Sequence, residues 1–299
     1  MLDVLNFLKK KEKPAEIKHL VISIKGIIEW AKKNEKPLEE VFLRRNKLIL
    51  DLVNLIIEKD IPIFTIYILS ESTYLKSKEP DNLIQTTKAQ TQSQNQPMTQ
   101  AQIQAQKPEY QIKAFEAGEE TDNKEKEEYG ENEENEEYEE NEYTQLTESL
   151  TEFFNKLANE EIIHNKKVKI SVLGKWYGLP GMVVESIKSV IDKTKDYDSF
   201  FLNFCVNYDG QEEIIDAFKL IIRSVEGENI NEYLVNKNLI KENVYSSYFI
   251  PPDIIIETGI DHKYSGVLLW DSVNAKIFFI EKLFPDIDKD DVEKILQNK

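Results

Sequence analysis

The sequence predicts an α/β fold: a central, mostly parallel sheet of about six strands flanked by helices, with a disordered acidic insertion in one crossover. Three observations carry this. Apolar runs of strand length alternate along the chain with longer amphipathic stretches, the order of a repeated strand–helix unit. The apolar runs contain few alternating polar residues, as strands covered on both faces do. One segment, 81–146, breaks the alternation and has the composition of chain that does not pack.

Taken in order, Met1-Leu2-Asp3-Val4-Leu5-Asn6-Phe7-Leu8 reads as a short amphipathic helix followed by Lys9, Lys10 and Lys11. Lysines after the apolar stretch are in the wrong order for a secretory signal. They read as solvated charge, with weak affinity for anionic lipid as the alternative; the same holds for Lys166 and Lys167. The first strand is His19–Ile24. Gly26 then allows a tight turn into a helix that carries Trp30 and Ala31. A long apolar helix, Leu38–Glu58, follows and leads to a second strand, Ile61–Leu69. Beyond the insertion the expected strands are Lys167–Leu173, Phe200–Val206, Ile254–Ile256 and Lys276–Phe279. The expected helices are Gln145–Glu161, Gly181–Lys193, Gln211–Ser224 and Asn231–Asn238.

Segment 81–146 is Gln/Thr/Ala-rich from Gln85 to Gln106 and Glu/Asn/Tyr-rich from Glu116 to Tyr143. It has too few apolar side chains to offset the entropy of ordering, so disorder is expected. Loop closure costs rise slowly with length, which makes such an insertion tolerable. The expected organisation is one discontinuous domain, 1–80 and 147–299, around the insert. The insert holds 17 Asp and Glu against 5 Lys, leaving −5 of the chain's net −17 for the rest.

The acidic balance argues against a nucleic-acid partner. The single cysteine, Cys205, excludes an internal disulfide and fits a reducing compartment. It lies in an apolar run and reads as a buried structural thiol. No apolar run approaches the ~20 residues that span a bilayer. The chain therefore reads as cytoplasmic, with peripheral contact at the inner face of the membrane as an option. The three histidines, His19, His164 and His262, lack the spacing of a metal site.

The turn Lys25-Gly26-Ile27-Ile28-Glu29-Trp30-Ala31 resembles the Asp-Gly-Asn-Gly-Arg-Trp-Ala signature of the cis-prenyltransferases, the undecaprenyl and dehydrodolichyl diphosphate synthases. Gly26, Trp30 and Ala31 match. Thr65, Tyr67 and Ser70 match that family's next strand and turn. Asn207, Tyr208, Gly210, Glu213 and Ile214 match its Asn-Tyr-Gly-Gly-Arg segment. Pro252, Asp253, Thr258, Ser265 and Trp270 match its long final motif, and Phe284-Pro285-Asp286 matches its close. Together these motifs cover nearly all of the chain outside the insert, in the family's order.

The resemblance implies a diphosphate-binding site, and it marks where this chain departs from one. The catalytic, metal-binding Asp position holds Lys25 and the second metal-binding position, a Glu, holds Lys276. Positions for phosphate-clamping or substrate-binding groups hold Glu29, Leu38, Phe42, Gln211 and Glu257. Lys263 keeps the charge of an arginine without its geometry. The implied remnants of substrate binding are Gly26, Trp30, Ser70, Asn207, Gly210, Lys263 and Ser265. A lysine repels Mg²⁺ and a glutamate repels diphosphate, so no cofactor is expected; Mg²⁺ enters only if the chain is active.

The opposite sign changes at Lys25, Glu29 and Glu257 suggest that Lys25 pairs with Glu29 or Glu257 in a structural ion pair; the alternative is scattered surface charge. In the family the helix equivalent to Leu38–Glu58 helps to wall a tunnel for the growing prenyl chain. From the residues alone, a plain core helix serves as well.

Three functions fit. The first is a non-catalytic partner subunit, resembling the Nogo-B receptor type, dimerising with an intact paralogue or with itself through the Gly266–Trp270 block. The second is a polyprenyl-lipid-binding or regulatory protein. The third is a divergent active prenyltransferase. The stretch Ile295–Lys299 lacks the Arg-x-Gly ending of that subunit type. The insert reads as a solvated loop rather than a dock for a basic partner.

Overall fold

The computed structural model describes residues 17–76, 133–227 and 230–297. The expected helix over residues 1–8, Lys9–Lys11, the Gln-rich half of the insertion and the last two residues lie outside the described residues.

Six parallel strands form one sheet in the order β3-β4-β2-β1-β5-β6. They are β1 (His19–Ser23), β2 (Ile63–Ser70), β3 (Val168–Leu173), β4 (Phe200–Tyr208), β5 (Ile254–Thr258) and β6 (Lys276–Ile280). In the inner strands β1, β2, β4 and β5 almost every residue is buried, which explains their unbroken apolar sequence. The edge strands are more open: β3 mixes buried and half-buried residues, and in β6 only Ile280 is buried.

The helices are α1 (Ile27–Lys33), α2 (Leu38–Glu58), α3 (Glu71–Lys76), α4 (Glu133–Leu157), α5 (Glu161–Asn165), α6 (Gly181–Thr194), α7 (Gly210–Glu226), α8 (Lys237–Asn243) and α9 (Lys289–Gln297). The chain divides into two compact units, 1–77 with 141–299, and 78–140. The larger holds the sheet and the core. Its central cluster joins Leu20, Ile22, Ile49, Leu52, Ile66, Leu150, Phe154 and Phe204. Phe153, Phe154 and Phe204 meet edge to face at 5.3–5.5 Å between ring centroids. In the smaller unit the described residues are the first turns of α4.

Two expectations are corrected. The helix expected from Gln145 starts at Glu133, so 133–146, assigned to the disordered insert, is helical. Its Leu146 is buried in the core, which anchors the helix upstream of the composition boundary. The helix expected over Asn231–Asn238 is a 3₁₀ turn, Glu232–Leu234, followed by α8. Asn231 Oδ1 accepts from Tyr233 N, and Asn236 Oδ1 accepts from Asn238 N and Leu239 N. Each asparagine caps its own new start, and Asn236 therefore splits the segment.

A buried polar chain crosses three strands. His19 bonds to the Ile250 carbonyl oxygen at 2.7 Å and to Thr65 Oγ1 at 2.8 Å, and Asn203 Nδ2 donates to the same Thr65 oxygen at 3.1 Å. Burial lowers the His19 pKa from 6.5 to about 4. The folded state keeps the ring neutral where the unfolded chain takes up a proton. The contribution is therefore full above pH ~6.5 and is lost as pH falls toward 4. The predicted loss is on the order of 3 kcal/mol. Comparing urea midpoints of the parent and His19→Gln between pH 7 and 4 checks it: the variant should lack this part of the acid sensitivity.

Candidate active site

Strand order reverses direction between β1 and β5, since β1 leads to β2 on one side and β5 to β6 on the other. Ligand sites of open parallel sheets lie at such a switch point, beyond the carboxyl ends of the strands. A cavity of ≈ 610 Å³ opens there. Its wall includes Lys25, Gly26 and Glu29 after β1, Phe42 and Arg45 of α2, Tyr67 and Ser70 of β2, Leu146 of α4, Asp209 and Ser265.

The β1–α1 turn needs its glycine. Gly26 has φ 77°, and a Cβ there would lie 2.4 Å from Leu283 Cδ2. The next residues pack outward: Trp30 Nε1 donates to Asp286 Oδ1 at 2.7 Å, and Arg44 stacks on the indole at 5.1 Å. Trp30 is thus a buried brace between α1 and the Phe284–Asp286 turn, away from the cavity wall. Leu38 packs in the same small cluster with Trp30, Val41 and Leu283.

Lys25 meets Glu257. Its Nζ lies 3.1 Å from Glu257 Oε2 and 3.7 Å from Asp261 Oδ1, and it donates to the Lys263 carbonyl oxygen. Glu257, at the end of β5, is 1% exposed. Its other oxygen, Oε1, accepts from Ser265 N at 3.0 Å and Ser265 Oγ at 2.7 Å. Oε2 receives no hydrogen bond of good geometry, so Lys25 is its counterion by proximity alone. Ser265 is occupied by Glu257, and the Lys263 side chain is exposed.

The other side of the site is scaffold. Gly210 opens α7 against the 263–270 loop: a Cβ there would lie 2.1 Å from the Gly266 carbonyl oxygen. Asp209 Oδ1 caps α7 through Gln211 N at 2.8 Å and Glu212 N at 3.1 Å, while the Gln211 side chain is exposed. Asn207 sits at φ 48°, and its Nδ2 donates to the Lys175 carbonyl oxygen at 3.0 Å. That contact ties β4 to the loop after β3 and does not face the cavity. Ser70 Oγ accepts from Thr73 N at 3.0 Å and bonds Thr73 Oγ1 at 2.6 Å, so it caps α3 at the cavity edge.

Lys276 opens β6 level with Ile254, three residues before Glu257 on the neighbouring strand. At ~3.3 Å per residue that is about 10 Å along the sheet, so within one chain Lys276 and Lys25 do not share a site. Sequence reasoning grouped them; the register separates them.

Sequence reasoning also missed residues. Arg45 was passed over inside an apolar helix, yet it is three residues from Phe42 and seven from Leu38, hence on their face. Tyr67 lines the cavity, and its hydroxyl donates to the Tyr208 carbonyl oxygen at 2.8 Å; burial raises its pKa. Beneath the 263–270 loop, Tyr208 donates to Glu213 Oε2 at 2.6 Å, and Leu268 N donates to Tyr208 Oη at 3.0 Å. Leu268 stands at φ 49°, a strained position for a leucine, held by this bond.

The family model described as "Putative undecaprenyl diphosphate synthase" matches residues 128–298. The chain belongs to that family, the cis-prenyltransferases. Among family relatives, a tritrans,polycis-undecaprenyl-diphosphate synthase (geranylgeranyl-diphosphate specific) of Methanocaldococcus jannaschii is 34% identical over 143 residues, 47% of this chain and 51% of that one. A protein of the same description from Pyrococcus furiosus is 24% identical over 292 residues, 97% of this chain and 87% of its own length. Alignments with the first three relatives span 51–65% of their lengths. The lavandulyl diphosphate synthase of Lavandula x intermedia, solved with dimethylallyl diphosphate, shares the fold at TM-score 0.70 and 16% identity, over 96% of both chains.

The residues present do not fit the family's Mg²⁺. At the β1–α1 turn Lys25 presents an ammonium group, matched to Glu257, and an ammonium group repels a divalent cation. Among the described residues no three Asp, Glu, His or Cys side chains converge as a metal site. No helix among them is long and apolar enough to cross a membrane.

Proposed function

We propose that this cis-prenyltransferase homologue has no catalysis of its own and serves as a partner subunit in polyprenyl diphosphate synthesis, paired with an intact paralogue or with a second copy. The observation that carries the reading is the Lys25–Glu257 pair, 3.1 Å apart at the switch point. It puts a cation where the chemistry needs a metal-binding carboxylate. It also puts an anion where a diphosphate needs an arginine. Loss of a single oxyanion contact typically costs ~3–4 kcal/mol of barrier, and here several are gone together. A scaffold kept intact around a neutralised site suits a subunit that stabilises its partner.

The outward face of α7 supports the partner half of the reading. Ile215, Phe218 and Ile222 are exposed at i, i+3 and i+7 and form an apolar stripe. The proposed setting is the cytoplasm, peripheral to the membrane that receives the lipid product. The insert, within a discontinuous domain of 1–80 and 147–299, is assigned a solvating role. The cavity itself favours a second reading, a prenyl-lipid-binding protein.

The test is incubation of the pure chain with labelled isopentenyl diphosphate, an allylic primer and Mg²⁺, alone and with the host's intact paralogue. The expected result is no product alone, and faster or longer-chain product with the paralogue. Mg²⁺-dependent product from the chain alone overturns the proposal. Lack of effect on the paralogue, with lipid retained through purification, replaces it with the second reading.

A further inference from the structure

We infer that the groove along the outer edge of β3 receives an extended acidic segment of a partner protein, which adds to the six-stranded sheet as a further strand. The groove lies at the edge of the sheet, with β4 and β2 between it and β1, and the inference does not depend on the partner-subunit reading.

β3 pairs with β4 and with no other strand, so one side of its backbone is open. Backbone groups of successive strand residues point to opposite sides. The Lys167 carbonyl oxygen accepts from Ser199 N at 3.1 Å, which turns Lys167 toward β4. Ile170 N donates instead to Thr194 Oγ1 at 3.1 Å, at the end of α6, so the backbone groups of Ile170 face outward. By the same alternation those of Val172 face outward too. The Ile170 carbonyl oxygen and the N–H and carbonyl groups of Val172 meet no further strand. Such an edge is a template on which an extended chain can form main-chain hydrogen bonds.

The groove is built around this edge. Its ≈ 420 Å³ are lined by the consecutive residues 169–173, by Ile191 of α6 with Lys195 just after it, and by Tyr245, Tyr248 and Phe249. Ile170 and Ile191 belong to the core on one face of the sheet, Leu173 and Phe249 to the core on the other. A wall that wraps both faces of one strand suits a chain laid along it, whose alternate side chains reach both faces.

Charge selects the occupant. Lys169 is half-buried and makes no ion pair among the described residues. Lys195 lies 3.7 Å from Asp192 Oδ1, and both are well exposed. No carboxylate lines the groove. Asp216, which accepts from the Tyr245 hydroxyl, is matched by Lys219 at 3.0 Å. A segment bearing carboxylates gains from Lys169 and Lys195, and its apolar side chains gain from Phe249 and from Tyr248, whose ring is 67% exposed. A second copy of β3 would set lysine against lysine, so the edge resists self-pairing and favours an acidic partner.

The experiment titrates the full chain calorimetrically with the peptide acetyl-Glu-Val-Tyr-Val-Glu-amide. Binding is expected, and its absence overturns the inference. Replacing both glutamates with lysine should weaken binding by about tenfold or more; equal binding overturns the inference. Only alternate amides of an added strand face β3. N-methylation of one alternate set should therefore weaken binding by about tenfold or more, and N-methylation of the other set should not. Equal effects of the two sets overturn strand addition. Hydroxyphenylacetate brings a ring and a carboxylate without a chain, and binding as tight as the peptide's would show a small-molecule site instead. Lys169→Met should weaken the acidic peptide by about tenfold and leave the ligand-free melting temperature unchanged, since Lys169 has no anionic partner to lose. Undiminished binding by that variant overturns the inference. Amide exchange of the parent gives a check that needs no variant. With peptide bound, exchange at Val172 should slow while that at Ile170, already held by Thr194, changes little. Unchanged exchange at Val172 overturns strand addition.

Discussion

Lys25→Met is expected to destabilise the folded chain by about 3 kcal/mol, although Lys25 is itself partly exposed. The cost lies at Glu257, which is 1% exposed and keeps only the two bonds from Ser265 once its counterion is gone. Removing one partner of a buried pair leaves an uncompensated charge, typically ~3–5 kcal/mol; the 24% exposure of Lys25 places this case at the lower end. Glu257→Gln in the Lys25→Met background should recover most of the loss, because the amide oxygen still accepts from Ser265 and carries no charge. A double-mutant cycle of urea midpoints measures the coupling. Additive single effects would show that the pair is incidental and that the chain tolerates an unpaired carboxylate at the switch point. The pair also bears on function. Lys25 reaches Glu257, Asp261 and the Lys263 carbonyl oxygen, so it ties the β1 turn to the 259–265 loop. The same change should loosen that loop, seen as faster amide exchange there.

Glu213→Ala should cost about 3 kcal/mol or more and release the same loop from below. Glu213 is buried, and burial raises its pKa. Its carboxyl group accepts from the Tyr208 hydroxyl at 2.6 Å and from Ser246 N at 3.2 Å. Ser246 Oγ donates in turn to Asp271 Oδ2 at 2.7 Å, and Lys241 lies 2.5 Å from the same oxygen. Alanine leaves Ser246 N without its acceptor, leaves a void, and frees the Tyr208 hydroxyl that receives Leu268 N. The strained Leu268 turn then loses its restraint. Thermal unfolding gives the stability change, and amide exchange over 263–270 gives the loop change. Fast exchange confined to the variant's 263–270 loop supports this chain of contacts. Uniform change across the chain would show that Glu213 acts through global stability alone.

The two variants act on opposite sides of one loop, and that contrast shows how far the sequence reaches. All six strands were legible from apolar runs of strand length, most clearly the inner four, which bury both faces. The family resemblance drew attention to opposite charges and suggested that Lys25 pairs with Glu29 or Glu257; it meets Glu257 at 3.1 Å. Periodicity is local, and so are helix caps. Asn236 shows the limit even there, since an asparagine inside an apparent helix turned out to cap a new one.

The sequence by itself determined the alternation of strands and helices, the sheet's buried character and the presence of opposite charges, Lys25 and Glu257, at the ends of two strands. These depend on residue type and spacing along the chain. Tertiary structure alone decided which charges meet. The register of β5 with β6 set Lys276 apart from Lys25. The turn of α1 carried Trp30 away from the cavity, to Asp286. The packing of α2 against α4 closed Arg45 in beside Ser149, 104 residues further along, with no carboxylate of the described residues in ion-pair reach. A charge takes its meaning from the neighbours that desolvate or neutralise it, and those come from distant segments that no local pattern brings together.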